Sequence, residues 1–247
     1  MRGRYPSPTG LSYSFGPGMT PAIKMLIVAN IAAFVVSWFV PEVMLFLGLR
    51  VADVIGGMRL WQPVTYMFLH GGIGHILFNM LALWMFGVEL ERMWGSKFFL
   101  KYYFVCGLGA AATTALLSFV PFDIFDHLYT ALTVGASGAI YGVLLAYALY
   151  FPNRPIYIYF VFPIPAKYFV MIMGGISLLS SFGGGGGVAH TAHLGGLVAG
   201  YLYLKGGRLH IISEIQYRFL KWRINRMRRK FDVYSGGRAN DVDRRVH

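Results

Sequence analysis

Residues 131–150 read ALTVGASGAIYGVLLAYALY, a stretch without a single Asp, Glu, Lys or Arg. It sits inside a longer charge-free gap that runs from Asp126 to Arg154. Four more gaps lie between Lys24 and Glu42, Arg59 and Glu89, Lys101 and Asp123, and Lys167 and Lys205. Each approaches or exceeds the roughly 20 apolar residues that a membrane-spanning helix needs. The last gap is too long for one helix and is interrupted by the glycines of positions 183–187, whose backbone freedom opposes helix formation. Six spans are therefore expected, near 22–40, 73–90, 99–120, 131–150, 166–182 and 189–205, and the fold class is an all-α membrane bundle.

Composition agrees with this reading. The 247 residues are 56% hydrophobic and 13% charged, whereas soluble domains carry about 25% charge. Cys106 is the only cysteine, so a disulfide within the chain and any CxxC site are excluded. The first span follows Arg2, Arg4 and Lys24 but runs into Trp38-Phe39-Val40-Pro41 rather than a small-residue cleavage site, and is expected to be a retained helix.

Basic residues favour the cytoplasmic side of short loops. Segments 1–24 and 205–247 hold three and twelve Lys or Arg, which puts both ends inside and agrees with an even number of spans. The 91–101 and 151–167 connections, each with bases, then fall inside, and the 121–130 connection, with Asp123 and Asp126, falls outside. Three regions follow: a short cytoplasmic tail over 1–20, a membrane domain over 21–206, and a basic tail over 207–247. In that tail Ile212, Ile215, Phe219 and Trp222 recur at helical spacing among Arg218, Lys221, Arg223 and Arg226. The pattern predicts an interfacial helix on anionic inner-leaflet lipid rather than nucleic-acid binding.

Polar groups inside spans are costly and mark function. His70, His75 and Asn79 open the second span, Ser137 and Tyr141 lie in the fourth, and His190 and His193 open the sixth. The second, fourth and sixth spans run in one direction, so these residues share one depth a little below the outer surface. Gly138, Gly142 and Ala146 form a small-residue face on the fourth span, and Ala192, Gly196 and Gly200 form one on the sixth. If the faces meet, Ser137 and His193 come within hydrogen-bonding reach. A serine beside an imidazole that accepts its proton is a nucleophile, and His75 and Asn79, at i and i+4, can supply donors to an oxyanion. No span holds an Asp, so a Ser-His dyad is the most the chain offers.

These residues carry a resemblance. Gly135-Ala136-Ser137-Gly138 is similar to the GxSG nucleophile motif of the rhomboid intramembrane serine proteases. The run from His70 through His75 to Asn79 resembles their second-helix HxxxxHxxxN. Ala192-His193-Leu194-Gly195-Gly196 with Gly200 resembles their sixth-helix AHxxGxxxG. The resemblance covers about residues 21–206 and implies the six-helix rhomboid-like fold. It further implies a Ser137–His193 dyad, an oxyanion hole built from His75, Asn79 and the Ser137 amide, Tyr141 stacked on the His193 ring, and Gly135 at the substrate-binding side of the site. It also suggests that the 41–72 connection lies in the outer leaflet, that residues 181–188 cap the site, and that Glu91 is a structural acid. Substrates would be single-span membrane proteins, cut near the outer face without metal or other cofactor.

Three features depart from the pattern or stay open. Trp61-Gln62 stands where many members have Trp-Arg, which puts a loop-anchoring role for that pair in doubt. His190 reads as a polar loop contact or, with His193, as two ligands of a metal. His70 reads as a structural hydrogen-bonding residue or a direct participant. A zinc protease would need a Glu between His70 and His75, and an aspartyl intramembrane protease two Asp in spans; neither is present. A transporter would show an internal repeat or polar groups at the midplane, and the chain shows neither. The remaining alternative is a catalytically silent rhomboid relative that binds membrane clients. A bacterial plasma membrane is the expected location.

Overall fold

The computed structural model describes residues 18–158, 161–181 and 187–206, together with Lys221 and Arg226. The chain divides into two compact units, Met1–Leu204 and Lys205–His247. The amphipathic reading of 211–231 and the glycines of positions 183–186 fall outside the described residues.

Among the described residues, six helices have 14 residues or more: α1 (Pro21–Phe39), α5 (Ile73–Trp94), α6 (Ser96–Leu117), α7 (Ser137–Tyr150), α8 (Ala166–Ser181) and α9 (Gly187–Gly206), the last ending two residues beyond the first unit. Among the described residues α1, α5 and α6 are long and apolar enough to cross a membrane, and α7 and α8 are shorter apolar helices. Large apolar side chains such as Phe39, Phe78, Leu116, Met171 and Leu179 are exposed on the outside of the bundle, the inverse of a soluble surface.

α7 is the axis of the bundle. Ten of its 14 residues are buried, because α5, α6 and α8 pack around it and α9 meets it through glycines. The expected contact of the two small-residue faces is present. A Cβ at Gly196 would run into the carbonyl of Gly138, and one at Gly200 would lie 3.2 Å from Gly142 Cα. Only residues without a side chain permit that approach.

The structure corrects the fourth span. The helix begins at Ser137 and not at 131, and residues 131–136 lead into it as irregular and extended chain. The reason is pairing with the connection between α1 and α5. Leu49 N–H donates to Thr133 O at 3.0 Å, Thr133 N–H donates to Leu49 O at 2.8 Å, and Gly135 N–H donates to Tyr66 O at 3.0 Å. With 14 residues, α7 is about 21 Å long, well short of a hydrocarbon core of about 30 Å. Its first residue therefore lies below the surface of any bilayer that its other end reaches.

The connection itself is short helices, α2 (Glu42–Leu47), α3 (Val51–Gly56) and α4 (Gln62–Thr65), followed by a 3-10 turn at Tyr66–Phe68. Gln62 is fully buried and answers the doubt about its anchoring role. Its Oε1 accepts from Arg50 N–H at 3.1 Å, and its Nε2 reaches the carbonyls of Leu45 and Phe46, each at 3.4 Å. A neutral amide thus ties the loop together, while Trp61 Nε1 donates to Phe46 O at 2.9 Å. Phe46, Met58 and Leu60 remain exposed.

A second departure lies between α7 and α8, where a plain connection was expected. β1 (Pro155–Ile158) and β2 (Phe162–Pro165) form an antiparallel hairpin in the register Pro155↔Pro165 and Ile156↔Ile164. Pro155 and Pro165 pair at its open end, where a missing N–H costs least, and Pro163 faces Tyr157 within it. Arg154 pairs with Glu89 of α5 and stacks over Phe151.

Glu91 acts as the cap of α1. Its carboxylate accepts from Ala22 N–H at 2.8 Å, Ile23 N–H at 3.0 Å, Ser96 Oγ at 2.5 Å and Thr20 Oγ1. The first N–H groups of a helix have no partner within it, and a negative charge there also suits the helix dipole. Replacing Glu91 with Ala leaves two buried amides unpaired and is expected to destabilise the bundle by about 3 kcal/mol. Thermal unfolding in detergent checks this, and an unchanged midpoint would refute the capping role.

Candidate active site

A cavity of about 480 Å³ opens between α5, α7, α8 and α9. Ser137, Tyr141, His75, Asn79, Gly135 and His193 all line it, and His70 and His190 do not. His193 Nε2 lies 2.8 Å from Ser137 Oγ. Ser137 is the first residue of α7, and its backbone N–H belongs to the turn that finds no partner within the helix.

The His193 ring is fixed on three sides. Tyr141, one turn along α7 from Ser137, stacks on it with centroids 4.1 Å apart and planes 8° from parallel. His190 meets it edge-on at 5.8 Å. Ser177 Oγ lies 3.4 Å from Nδ1 and also donates to Tyr141 OH at 3.2 Å. Sequence reasoning missed Ser177. It is one of several serines near the end of an apolar span, a setting in which the hydroxyl usually bonds its own helix, as Ser181 does by donating to Ser177 O at 2.7 Å.

His75 has an assignable tautomer. Its Nδ1 accepts from Gly71 N–H at 3.4 Å, which leaves the proton on Nε2. That edge of the ring lies over Gly135. A Cβ on Gly135 would be 2.8 Å from both Nε2 and Cε1 of His75 and 3.6 Å from Ser137 Oγ, so donor and hydroxyl face each other across the space of the missing side chain. Gly135 also has φ +126°, a conformation that side chains disfavour. Asn79 donates one amide hydrogen to His75 O at 2.8 Å and keeps a second.

His70 is buried and packs edge-on to His75 at 5.0 Å. It makes no hydrogen bond to Ser137 or His193. His190 and His193 are not joined by a third His, Cys, Asp or Glu in metal-binding arrangement among the described residues.

Residues 57–207 match the family model of the Rhomboid domain. The chain belongs to the rhomboid family. Its relatives include the rhomboid protease GluP of Bacillus subtilis, 33% identical over 162 residues that cover 65% of this chain and 28% of GluP. The rhomboid protease AarA of Providencia stuartii is 31% identical, over 58% of this chain and 54% of AarA. RHOMBOID-like protein 12, mitochondrial, of Arabidopsis thaliana is 30% identical, over 69% of this chain and 54% of the relative. The chain thus matches about a quarter to a half of the length of these rhomboid relatives. Family membership and the apolar helices make it an integral membrane protein, and the helical bundle is a rhomboid-like one.

Gly135→Ala tests the geometry of this rhomboid site. The methyl group meets the His75 ring at a strained φ, and displacing that ring from the serine is expected to lower any Ser137-dependent cleavage of a membrane substrate by about 100-fold or more. Wild-type activity in that variant would show that the close approach of His75 to Gly135 is dispensable.

Proposed function

We propose that the protein is an intramembrane serine endopeptidase that cuts single-span membrane proteins near the outer membrane face. The observation that carries the reading is the 2.8 Å approach of His193 Nε2 to Ser137 Oγ at the floor of a cavity. That two relatives are named rhomboid proteases supports it.

His193 Nε2 takes the Ser137 proton as Oγ attacks the scissile carbonyl. The resulting oxyanion meets the His75 Nε2–H, the free Asn79 amide hydrogen and the Ser137 N–H. Such preorganised donors act strongly where water is scarce, each contributing about 3 kcal/mol. The imidazolium then returns its proton to the leaving amine, and water attacks the acyl-enzyme, with His193 serving again as base. The cavity that Ser137 lines gives water a route to a residue that lies below the bilayer surface.

The reading includes six membrane spans, both termini in the cytoplasm of a bacterial cell, and a basic tail on anionic inner-leaflet lipid. The distribution of Lys and Arg supports that orientation, and the tail composition supports the lipid partner. The exposed apolar side chains of the 41–72 connection support its place in the outer leaflet. A substrate helix must unwind to present a carbonyl, so Gly or Pro in the substrate span favours cleavage.

The test is cleavage of a single-span substrate by the protein in lipid vesicles, with Ser137→Ala and His193→Ala beside it and a chelator present. Product that survives chelation, vanishes in both variants and increases with helix-breaking residues in the substrate is expected. Loss on chelation, or cleavage by Ser137→Ala, would overturn the reading. No cleavage of any of several substrates by wild type would favour client binding without catalysis.

A further inference from the structure

The mechanism above uses one nitrogen of His193 and leaves the other unexplained. For Nε2 to accept the Ser137 proton, the neutral ring must carry its own proton on Nδ1. In solution both tautomers are populated, so something must hold that proton on Nδ1. A carboxylate does this in the Ser-His-Asp arrangement, and no span of this chain contains an Asp.

We infer that Ser177 is the positioning residue for His193, holding the imidazole in the Nδ1–H tautomer and coupling it to the Tyr141 hydroxyl. The inference rests on the protease reading, whose base it orients. Ser177 is fully buried. Its hydroxyl lies 3.4 Å from His193 Nδ1 and 3.2 Å from Tyr141 OH, so one oxygen bridges the two groups. In the inferred arrangement the Ser177 proton goes to the Tyr141 oxygen, and the Ser177 oxygen accepts from Nδ1–H. The proton order is then fixed: His193 Nδ1–H to Ser177 Oγ, and Ser177 O–H to Tyr141 OH. The Nε2 lone pair is left facing the Ser137 hydroxyl. Three helices contribute to this chain, with α8 supplying Ser177, α9 the ring and α7 both Tyr141 and Ser137.

The chemistry of the location explains why a hydroxyl stands there. A carboxylate at position 177 would be charged and without solvent, and burying an unpaired charge is far more costly than burying a satisfied hydroxyl. Serine orients the ring at no such cost and gives up the electrostatic help that a carboxylate would lend the imidazolium. At 3.4 Å the bond is long in the resting site, and a positive ring formed during the reaction draws the Ser177 oxygen closer, since charge-assisted bonds are shorter.

The test uses the full chain in lipid vesicles with 15N-labelled histidine, comparing wild type, Ser177→Ala and Ser177→Thr, with His193→Ala to assign the signal. The ring-nitrogen shifts should report one tautomer, Nδ1–H, in wild type and Ser177→Thr, and a mixture in Ser177→Ala. Cleavage should show kcat lowered about tenfold in Ser177→Ala with KM within about twofold, the loss of one neutral hydrogen bond to the base, and recovery in Ser177→Thr. If Ser177→Ala does not fold, Ser177→Cys, a poor acceptor of similar size, takes its place. A tautomer signal unchanged by either substitution overturns the inference, whatever the rate does. Tautomer control by Ser177 in a wild-type protein that cleaves nothing would instead refute the protease reading and leave the positioning role standing.

Discussion

The site depends on a contact between two backbones. Gly196 of α9 approaches the Gly138 carbonyl of α7 so closely that any side chain there would collide with it. Ser137 precedes Gly138 by one residue and His193 precedes Gly196 by three, so the proposed dyad is attached to the point of closest approach. In lipid, where no hydrophobic force drives helices together, close van der Waals packing of small residues must supply the association. The same feature that holds the bundle together therefore sets the distance from serine to histidine, and small changes in the glycine seam are transmitted directly to the dyad.

A second constraint acts on the other side of Ser137. The six residues before it are not helical because Leu49 and Tyr66 hold them by backbone hydrogen bonds, and the connection that supplies those partners is itself tied by the buried Gln62. This shortens α7 to 14 residues. It also places Gly135 under the His75 ring, where a positive φ and the absence of a side chain are both required. The start of α7 and the placing of Gly135 against His75 thus follow from one loop that clamps one extended segment.

Much of this was legible in the sequence because the membrane imposes strong rules. Charge-free gaps located the long helices to within a few residues, glycine spacing indicated which faces of α7 and α9 meet, and the rarity of polar groups in apolar spans picked out Ser137, His193, His75, Asn79 and Tyr141. The misses have a common physical origin. The start of α7 at Ser137 depends on hydrogen bonds to residues some 70 to 85 positions away, which an apolar composition does not reveal. The 155–165 hairpin is set by pairing between two proline-containing segments. Ser177 looks like any helix serine, and only the fold places its hydroxyl between Tyr141 and His193. Gln62 looked like the loss of an anchoring charge, yet burial makes a neutral amide with three backbone partners sufficient.

The central claim is that His193 makes Ser137 a nucleophile, and covalent labelling tests it without depending on any choice of substrate. The protein in lipid vesicles is treated with a serine-reactive fluorophosphonate and the adduct is mapped by mass spectrometry, with His193→Ala treated in parallel. The account predicts an adduct on Ser137 in wild type and its loss in His193→Ala. Absence of a Ser137 adduct in wild type, or equal labelling of Ser137 in both proteins, would contradict it.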